Sequence, residues 1–381
     1  MTDRVGVNLL WLVPGVVGGS EESTVRALEA VATAVESGEA DLDVVLFVLP
    51  ELVGAHPRLV ERLETVVAPI GGGAKGLRVS VETTWLAAAT RRAGVDLVHH
   101  AGGVVPLGAP RPVTLTIHDT QPLDLPANFS AVKRSYLRAM SGRSARRAEV
   151  VAVPSAFTAS RVRELFGVGE DRVSVVPWSA PEPTIDGDPD DAARLGALAE
   201  DGPLFLYPAI SYPHKHHEAL LYAFAELSSR VDGARLVFCG RPGPLDDHLR
   251  DRAASAGVGD RVSLLGRVDG GTLEALYRRA TAVVYPSRYE GFGLPVLEAM
   301  SRGRPVIASD IPAIAEVAGD AAILVDPPDL AAWAAAMERV ATDPATAAWL
   351  SAAGTERAAT FTPTRTAEGL LDVWRLALAR S

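Results

Sequence analysis

The amino-acid sequence predicts an α/β protein built from two doubly wound parallel sheets. Short, β-rich apolar runs alternate with helical patterns along the chain, as they do in consecutive βαβ units. At 381 residues the chain is longer than one hydrophobic core usually supports, which favours two domains. A stretch rich in proline, glycine and aspartate, residues 179 to 202, separates two series of strand-like runs and predicts an interdomain segment.

Both halves contain runs with the composition of buried parallel strands. The first series is VGVNLLWLV from Val5, DVVLFVL from Asp43, VDLVHH from Val95, PVTLTI from Pro112, VVAV from Val150 and RVSVV from Arg172. The second series is PLFLYPA from Pro203, RLVFCG from Arg235, RVSLLG from Arg261, AVVYP from Ala282, PVIAS from Pro305 and AAILVD from Ala321.

The domain boundaries follow from these runs and from the last segment of the chain. We expect a Rossmann-like N-terminal domain over 1–180 and a second Rossmann-like domain over 181–362. After Thr362 the apolar residues share one helical face, which predicts an amphipathic helix over 363–381. We expect this helix to pack back on the first domain.

Composition excludes several classes of function. A net charge of −10 argues against nucleic acid as a partner. Cys239 is the single cysteine, so no internal disulfide forms and a reducing compartment is expected. No apolar run approaches the ~18 residues of a membrane span. These features predict a cytoplasmic protein.

The stretch AVVYPSRYEGFGLPVLEAM carries the strongest chemical signal in the sequence. Glu290 and Glu298 frame a glycine-rich turn that connects a predicted strand to a predicted helix, and Glu298 is expected on the first helical turn. Unpaired amides near Gly293 and Leu294 favour an anion, whereas carboxylates favour hydroxyl groups. A nucleotide diphosphate sugar offers both, since its diphosphate suits the amides and its diols suit the carboxylates.

These residues closely resemble the retaining GT-B glycosyltransferases of family 4, also called group 1. The resemblance rests on EGFGLPVLE, preceded by YPSRY and followed by AMSRGRPVIASDIPAIAEVAGDAAILVDPPD, with YPAISYPHKHHEALLYAF upstream. It also includes VGGSEE and TIHDTQPLDLP in the first half. Within the family, the sequence is most similar to bacterial mannosyltransferases of polysaccharide and O-antigen synthesis. The resemblance implies two Rossmann-like domains that face a cleft, with the acceptor bound by the first and the donor by the second.

The resemblance also implies roles for individual residues. Lys215 is expected to neutralise the leaving diphosphate, Glu290 to bind the donor sugar, and His118 to face that sugar from the other domain. These three are the predicted catalytic residues. Asp119 is expected to fix a turn or to contact the acceptor. The remaining predicted donor-binding residues are Gly18, Gly19, Arg241, Gly266, Arg267, Val268, Gly291, Phe292, Gly293, Leu294 and Glu298.

The sequence departs from the family at one position that matters for phosphate binding. An arginine often precedes the lysine by a few residues, but AISYPH stands there in this chain. Arg241, Arg267 or Arg288 is a candidate replacement. A GT-A glycosyltransferase needs an acidic metal-binding pair after a strand, but Asp41 and Asp43 precede their strand, and Asp188 and Asp190 lie in the predicted interdomain segment. We therefore expect metal-independent transfer without a cofactor.

Several residues also have a purely structural interpretation. The two glutamates could simply complement a helix N-terminus, and Gly18 with Gly19 could serve only a tight turn. His118 could be a loop histidine whose hydrogen bonds are satisfied. Three histidines next to Lys215 suggest a metal, but no carboxylate or cysteine accompanies them at a useful spacing.

The stretch KRSYLRAMSGRSARRAEV, from Lys133, is strongly basic and has two interpretations. It could dock residues 133–147 on anionic lipid as a peripheral contact if the acceptor is lipid-linked. It could equally be a solvated helix face, which the scarcity of aromatic anchors favours.

Other classes of protein share parts of this pattern. A GT-B epimerase or phosphorylase would have the same architecture, although a phosphorylase needs a much longer chain. An NAD-dependent oxidoreductase would need G-x-G-x-x-G after the first strand, where the chain has PGVVGGSEE. A non-catalytic sugar-nucleotide-binding module would differ only by the absence of transfer. A glycosyltransferase using UDP or another nucleotide and a small acceptor is the alternative within the family.

Overall fold

The computed structural model describes residues 2–73, 75–181, 195, 198 and 202–380, which form two compact units. The first unit contains residues 1–179 and 361–381, and the second contains residues 180–360. Most of the predicted interdomain segment, including Asp188 and Asp190, lies outside the described residues.

The first unit is built around a parallel sheet with the strand order β3-β2-β1-β4-β5-β6-β7. Its strands are β1 (Asp3–Asn8), β2 (Leu42–Val48), β3 (Glu64–Val67), β4 (Leu97–His100), β5 (Val113–Thr116), β6 (Val150–Val153) and β7 (Val173–Val175). Its helices are α1 (Gly19–Glu36), α2 (Pro50–Ala55), α3 (Pro57–Arg62), α4 (Lys75–Arg92), α5 (Gln121–Asp124), α6 (Ala131–Arg147) and α7 (Ala156–Phe166). The C-terminal helix described below completes this unit.

The second unit is built around a parallel sheet with the strand order β10-β9-β8-β11-β12-β13. Its strands are β8 (Leu204–Pro208), β9 (Arg235–Cys239), β10 (Val262–Leu264), β11 (Ala282–Tyr285), β12 (Val306–Ser309) and β13 (Ile323–Val325). Its helices are α8 (His217–Ser228), α9 (Asp246–Ser255), α10 (Gly270–Arg279), α11 (Leu294–Ser301), α12 (Pro312–Ala318), α13 (Leu330–Thr342) and α14 (Pro344–Ala358).

Each sheet reverses its winding direction at one place, and this places the candidate site. The strand order turns back between β1 and β4 in the first unit and between β8 and β11 in the second. Loops from the two strands at such a switch point diverge and leave a crevice beyond their carboxyl ends. The segments that carry Lys215 and Glu290 follow β8 and β11, so they meet at the switch point of the second unit.

The last helix, α15 (Pro363–Leu378), packs on α1 within the first unit. It begins where the sequence predicts, because the Thr362 hydroxyl accepts a hydrogen bond from the Arg365 amide and caps the first turn. Trp374 is fully buried, and its ring lies edge-on to that of His99 with 5.7 Å between centroids. The apolar face of this helix therefore completes the core of the first unit.

Every strand-like run in the sequence contains a strand, which confirms the prediction of two doubly wound α/β sheets. The predicted strands do not include β3, a strand of four residues, ETVV, none of which is fully buried. This strand lies at the edge of the sheet, and Glu64 at its start pairs with Arg4 of β1. A short, half-exposed edge strand lacks the continuous apolar run that identifies its buried neighbours.

Candidate active site

The loop between β11 and α11 places Glu290 at the end of a buried strand. Gly293 precedes the helix with φ of 105°, a left-handed conformation that a side chain would strain. The helix begins at Leu294, so Glu298 lies in its second turn and the expectation of the first turn was wrong. Gly291, Phe292, Gly293 and Leu294 are all buried.

Lys215, Glu290 and Tyr285 form one hydrogen-bonded cluster at the switch point. The Lys215 ammonium donates to Glu290 Oε1 at 2.6 Å and to the Tyr285 hydroxyl oxygen at 2.9 Å. The Tyr285 hydroxyl donates to Glu290 Oε1 at 2.8 Å. The Lys215 and Glu290 side chains are 17% and 14% exposed, so their opposite charges interact with little solvent screening.

The backbone around Lys215 is fixed by its own contacts. Residues Pro213–Lys215 form a 3-10 turn, and His216 follows with φ of 58°, a left-handed conformation uncommon for a residue other than glycine. The Arg288 amide donates to the His214 carbonyl at 2.8 Å, and the Tyr207 hydroxyl donates to the Lys215 carbonyl at 2.7 Å. Strained backbone of this kind persists where the surrounding structure holds it. Here it aims the Lys215 side chain at Glu290.

Electrostatics keep the cluster charged. Burial alone would raise the pKa of Glu290, but the charge and hydrogen bond of Lys215 outweigh it, and the pKa lies below its usual value. Burial and the Glu290 charge raise the pKa of Tyr285 well above its usual value. Burial and the Lys215 charge lower the pKa of His214 to about 4. At neutral pH the ion pair therefore has two uncharged neighbours, Tyr285 and His214.

Glu298 of α11 belongs to a second hydrogen-bonded network, which includes Tyr277 of α10. Its Oε2 accepts a hydrogen bond from the buried Tyr277 hydroxyl at 2.9 Å. Arg302 packs over the Tyr277 ring at 4.8 Å from the centroid and pairs with Glu274 at 2.8 Å. These contacts fix the Tyr277 ring and, through it, one oxygen of Glu298.

A small cavity lies at the carboxyl ends of β8, β9 and β10, and Arg241 and Gly266 line it. Gly240 also lines it, at a point where a side chain could not fit, since a Cβ atom would lie 2.7 Å from the Ala209 carbonyl oxygen. Arg267, which is exposed, and Val268, which is half-buried, follow in the loop that leads to α10. These predicted donor-binding residues thus lie together at one end of the sheet, and their role stays a prediction.

His118 lies beyond β5 in the first unit, packed between two tryptophans. Its ring centroid is 5.4 Å from those of Trp11 and Trp178. Its Nε2 is 2.8 Å from the Ala101 carbonyl oxygen, to which it can only donate, so Nδ1 carries the lone pair of the neutral ring. Burial lowers the pKa of His118 to about 4, although the Ala101 hydrogen bond opposes this.

His118 shares a cavity with Asp119, Ser20 and Gly102 at the switch point of the first unit. The Asp119 carboxylate is exposed, and its Oδ1 accepts from the Gln121 amide at 2.9 Å, which fixes the turn before α5. Gly18 precedes α1 with φ of 71°, and both Gly18 and Gly19 are exposed beside Ser20. The predicted site residues of the first unit thus lie together beyond the carboxyl ends of its strands.

The structure adds supporting residues that sequence reasoning did not assign. Tyr285 and Tyr277 hydrogen-bond the two predicted glutamates, and Trp11 and Trp178 enclose the predicted histidine. The signal for Tyr285 was available, because it is a polar-tipped residue at the carboxyl end of an apolar strand. Trp178 is 60 residues from His118 in the chain, and no local pattern connects them.

The arginines of helix α6 differ in whether they contact the rest of the first unit or are exposed. Arg143 donates to the Val105 carbonyl at 3.0 Å, and Arg147 donates to the carbonyl of Ala109, so both stabilise the unit itself. Arg134, Arg138 and Arg146 are exposed. The side chain of Lys133 lies outside the described residues. Lipid docking through 133–147 therefore stays a prediction.

The described residues also bear on the metal and membrane predictions. Across the described ranges, no group of three or more histidine, cysteine, aspartate or glutamate side chains is placed to hold a metal ion. Metal-independent transfer stays a prediction. Within the same ranges, no helix has the length and hydropathy needed to cross a bilayer.

Two family profiles match most of the chain. One, described as Glycosyl transferases group 1, matches residues 191–357. The other, described as Glycosyltransferase Family 4, matches residues 24–178.

Curated relatives carry names of the same class. The chain is 29% identical over 227 residues to the O-antigen chain mannosyltransferase RfbU of Salmonella typhimurium, covering 60% of each chain. It is 37% identical over 196 residues to the D-inositol 3-phosphate glycosyltransferase of Salinispora arenicola, covering 49% of this chain and 44% of the relative. The matches thus span less than two thirds of either relative.

A solved structure has the same fold over its full length. Sucrose-phosphate synthase from Thermosynechococcus elongatus superposes with a TM-score of 0.78 and 22% identity, covering all of both chains. Together with the two parallel sheets, this likeness confirms the predicted GT-B fold class of two Rossmann-like domains.

Proposed function

This chain belongs to the group 1, family 4 glycosyltransferases, and from that premise we propose that it transfers a hexose from a nucleotide diphosphate sugar to a saccharide or lipid-linked acceptor. The observation that carries this proposal is the contact of 2.6 Å between Lys215 and Glu290. It joins the loops after β8 and β11, the two strands that flank the switch point where open α/β sheets bind ligands.

The chemistry of the cluster suits the departure of a nucleoside diphosphate. Lys215 supplies a compact positive charge, and the first amides of α11 point toward the same end of the sheet. Preorganised donors of this kind stabilise the charge that develops on a leaving group, typically by ~3 to 4 kcal/mol for one donor. Donor binding would require Lys215 to exchange part of its contact with Glu290 for phosphate oxygens. The Glu290 carboxylate would then be available to accept from sugar hydroxyls.

We propose mannose as the sugar and GDP as the nucleotide, with retention of anomeric configuration and no metal. The names of the O-antigen mannosyltransferase relatives support the sugar. The charge of Lys215 and the amides of α11 provide a metal-free means of stabilising the diphosphate. His118 would accept a hydrogen bond from the donor sugar through Nδ1.

A second candidate differs in donor and acceptor. Several relatives, at 33% to 37% identity, carry the name D-inositol 3-phosphate glycosyltransferase, which favours a small phosphorylated acceptor and another nucleotide. A protein that binds a sugar nucleotide without transferring the sugar is the remaining alternative. For a lipid-linked acceptor, we place the reaction at the cytoplasmic membrane face, with 133–147 as the peripheral contact.

A transfer assay with defined donors tests the proposal. GDP-mannose, UDP-glucose and UDP-N-acetylglucosamine would each be incubated with a mixed saccharide and polyprenyl-linked acceptor library, with and without EDTA. We expect product from GDP-mannose in both conditions, with an α-linkage by NMR. Product from a UDP-sugar alone would favour the second candidate. Nucleotide binding without any product would support the non-catalytic alternative.

A further inference from the structure

The first unit contains a concave groove that the donor chemistry does not use. We call it the arginine trough, and its volume is about 530 Å³. Three arginines from α6 and five apolar residues line it together with Gly142. The lining residues are Arg134, Arg138, Gly142, Arg146, Pro122, Leu123, Pro126, Leu165 and Phe166.

The charge of the trough is not neutralised from within the described part of the protein. Helix α6 carries six basic residues and no acidic residue, in a chain whose net charge is −10. Among the described residues, neither Arg134 nor Arg138 forms a salt bridge, and both are exposed. Like charges placed side by side repel, so such a row is stabilised when an anion lies against it.

The spacing of the arginines sets the length of the site. Positions 134, 138, 142 and 146 recur every four residues and therefore share one face of α6. With a rise of about 1.5 Å per residue, the row from Arg134 to Arg146 extends over roughly 18 Å. Gly142 interrupts the row, and a Cβ there would lie 3.3 Å from Phe166 Cδ1. The glycine thus lets the helix lie close to the apolar floor.

The trough adjoins the cavity that contains His118 and Asp119. Pro122, Leu123 and Phe166 line both the trough and that cavity. Arg146 is held along the shared wall, because its Nη1 donates to the Phe166 carbonyl at 3.4 Å. A ligand whose reactive hydroxyl lies near His118 can therefore extend into the trough.

We propose that the arginine trough binds the phosphate of an acceptor in which that phosphate is esterified to an apolar chain. The arginines bind the phosphate oxygens, and the apolar floor contacts the first units of the chain. The proposal rests on the proposed function and names the acceptor class for it. A bilayer surface fits less well, since flat membranes engage protruding apolar residues, whereas here the apolar residues form the floor of a groove.

Direct binding of farnesyl diphosphate, measured by isothermal titration calorimetry, tests the proposal without any transfer reaction. The variants are Arg134→Gln/Arg138→Gln in the trough and Lys215→Ala in the second unit. Arg91→Gln/Arg92→Gln, which removes two exposed arginines at the end of α4, is the matched control. Glucose 1-phosphate and vesicles containing anionic phospholipid are the comparison ligands.

We expect the trough variant to weaken farnesyl diphosphate binding at least tenfold, while Lys215→Ala and the control bind as wild type does. Glucose 1-phosphate should bind at least tenfold more weakly than farnesyl diphosphate. The proposal is overturned if farnesyl diphosphate does not bind, if only Lys215→Ala weakens it, or if glucose 1-phosphate binds equally well. Vesicle binding that depends on the trough arginines, without farnesyl diphosphate binding, would assign the arginines to a membrane surface instead. Nucleotide binding to the second unit is a separate measurement, so failure here leaves the proposed function standing.

Discussion

The two units place their candidate residues at equivalent points of similar sheets, but the charge of those residues and the contacts that hold them differ. In the second unit Lys215 and Glu290 are a charged pair, mostly buried and linked by Tyr285. In the first unit His118 is uncharged, and aromatic packing with one backbone hydrogen bond orients it. Both sites lie at the carboxyl ends of their strands.

This difference matches what each unit would contact. A leaving diphosphate needs a charge that is already in place, and an ion pair keeps that charge in position before the donor arrives. A sugar hydroxyl needs an acceptor of fixed direction, which a neutral and packed imidazole provides. We therefore expect charge changes to dominate in the second unit and orientation changes to dominate in the first.

The largest effect is expected from Lys215→Ala. The variant removes the positive charge at the leaving group, so kcat should fall by roughly 10³-fold or more. It also leaves the Glu290 carboxylate without its cation, a change that typically destabilises a buried pair. Circular dichroism and thermal unfolding must show that the variant is folded. Glu290→Gln in the Lys215→Ala background should recover stability without recovering turnover, and turnover near wild type in Lys215→Ala would contradict the assignment.

A smaller effect is expected from His118→Phe, which keeps a ring between the tryptophans but removes Nδ1. Losing one neutral hydrogen bond should lower kcat/KM roughly tenfold.

The charge state of His118 is tested separately by an NMR titration of its ring, which should give a pKa of about 4. Because the folded pKa is below that of an unfolded histidine, His118 contributes stability above pH 6.5 that is lost as the pH falls toward 4. A pKa near 6.5 would show that the ring is not packed between Trp11 and Trp178 as described.

The smallest effect is expected from Tyr285→Phe. The variant removes a hydroxyl that bonds both members of the ion pair, but Lys215 and Glu290 still contact each other directly. We expect a loss of about 1 kcal/mol in the free energy of unfolding and a threefold decrease in kcat. Tyr222→Phe, at an exposed tyrosine of α8, is the matched control. A loss as large as that of Lys215→Ala would mean that the hydroxyl, and not the ammonium, is essential.

The sequence predicted the parts of this structure that are encoded locally. Buried parallel strands such as AVVY are continuous apolar runs. Thr362 is a typical N-cap residue and marks the start of the last helix. The motif around Glu290 predicts the candidate site of the second unit, because its glycines and carboxylates are close in sequence. The turn that carries Glu298 was misplaced, since the left-handed Gly293 determines where the helix begins.

The remaining features depend on tertiary contacts that no short pattern contains. Trp178 reaches His118 only because β5 and the segment after β7 come together in the fold. The arginine trough needs α6 to face Leu165 and Phe166 of α7, and the basic stretch alone is equally consistent with a solvated face. Edge strand β3 is defined by its pairing with β2 and not by its own composition.

Binding of free nucleotides most directly tests the central claim that the second unit is a nucleotide-sugar site. Thermal unfolding would be followed with GDP, UDP, ADP and dTDP, with and without magnesium, for wild type and for Lys215→Ala. We expect one nucleotide, GDP, to raise the unfolding temperature of wild type without magnesium, since a ligand at 100 times its Kd stabilises a fold by about 2.7 kcal/mol. The shift should shrink in Lys215→Ala. No shift with any nucleotide, or an equal shift in the variant, would contradict the claim.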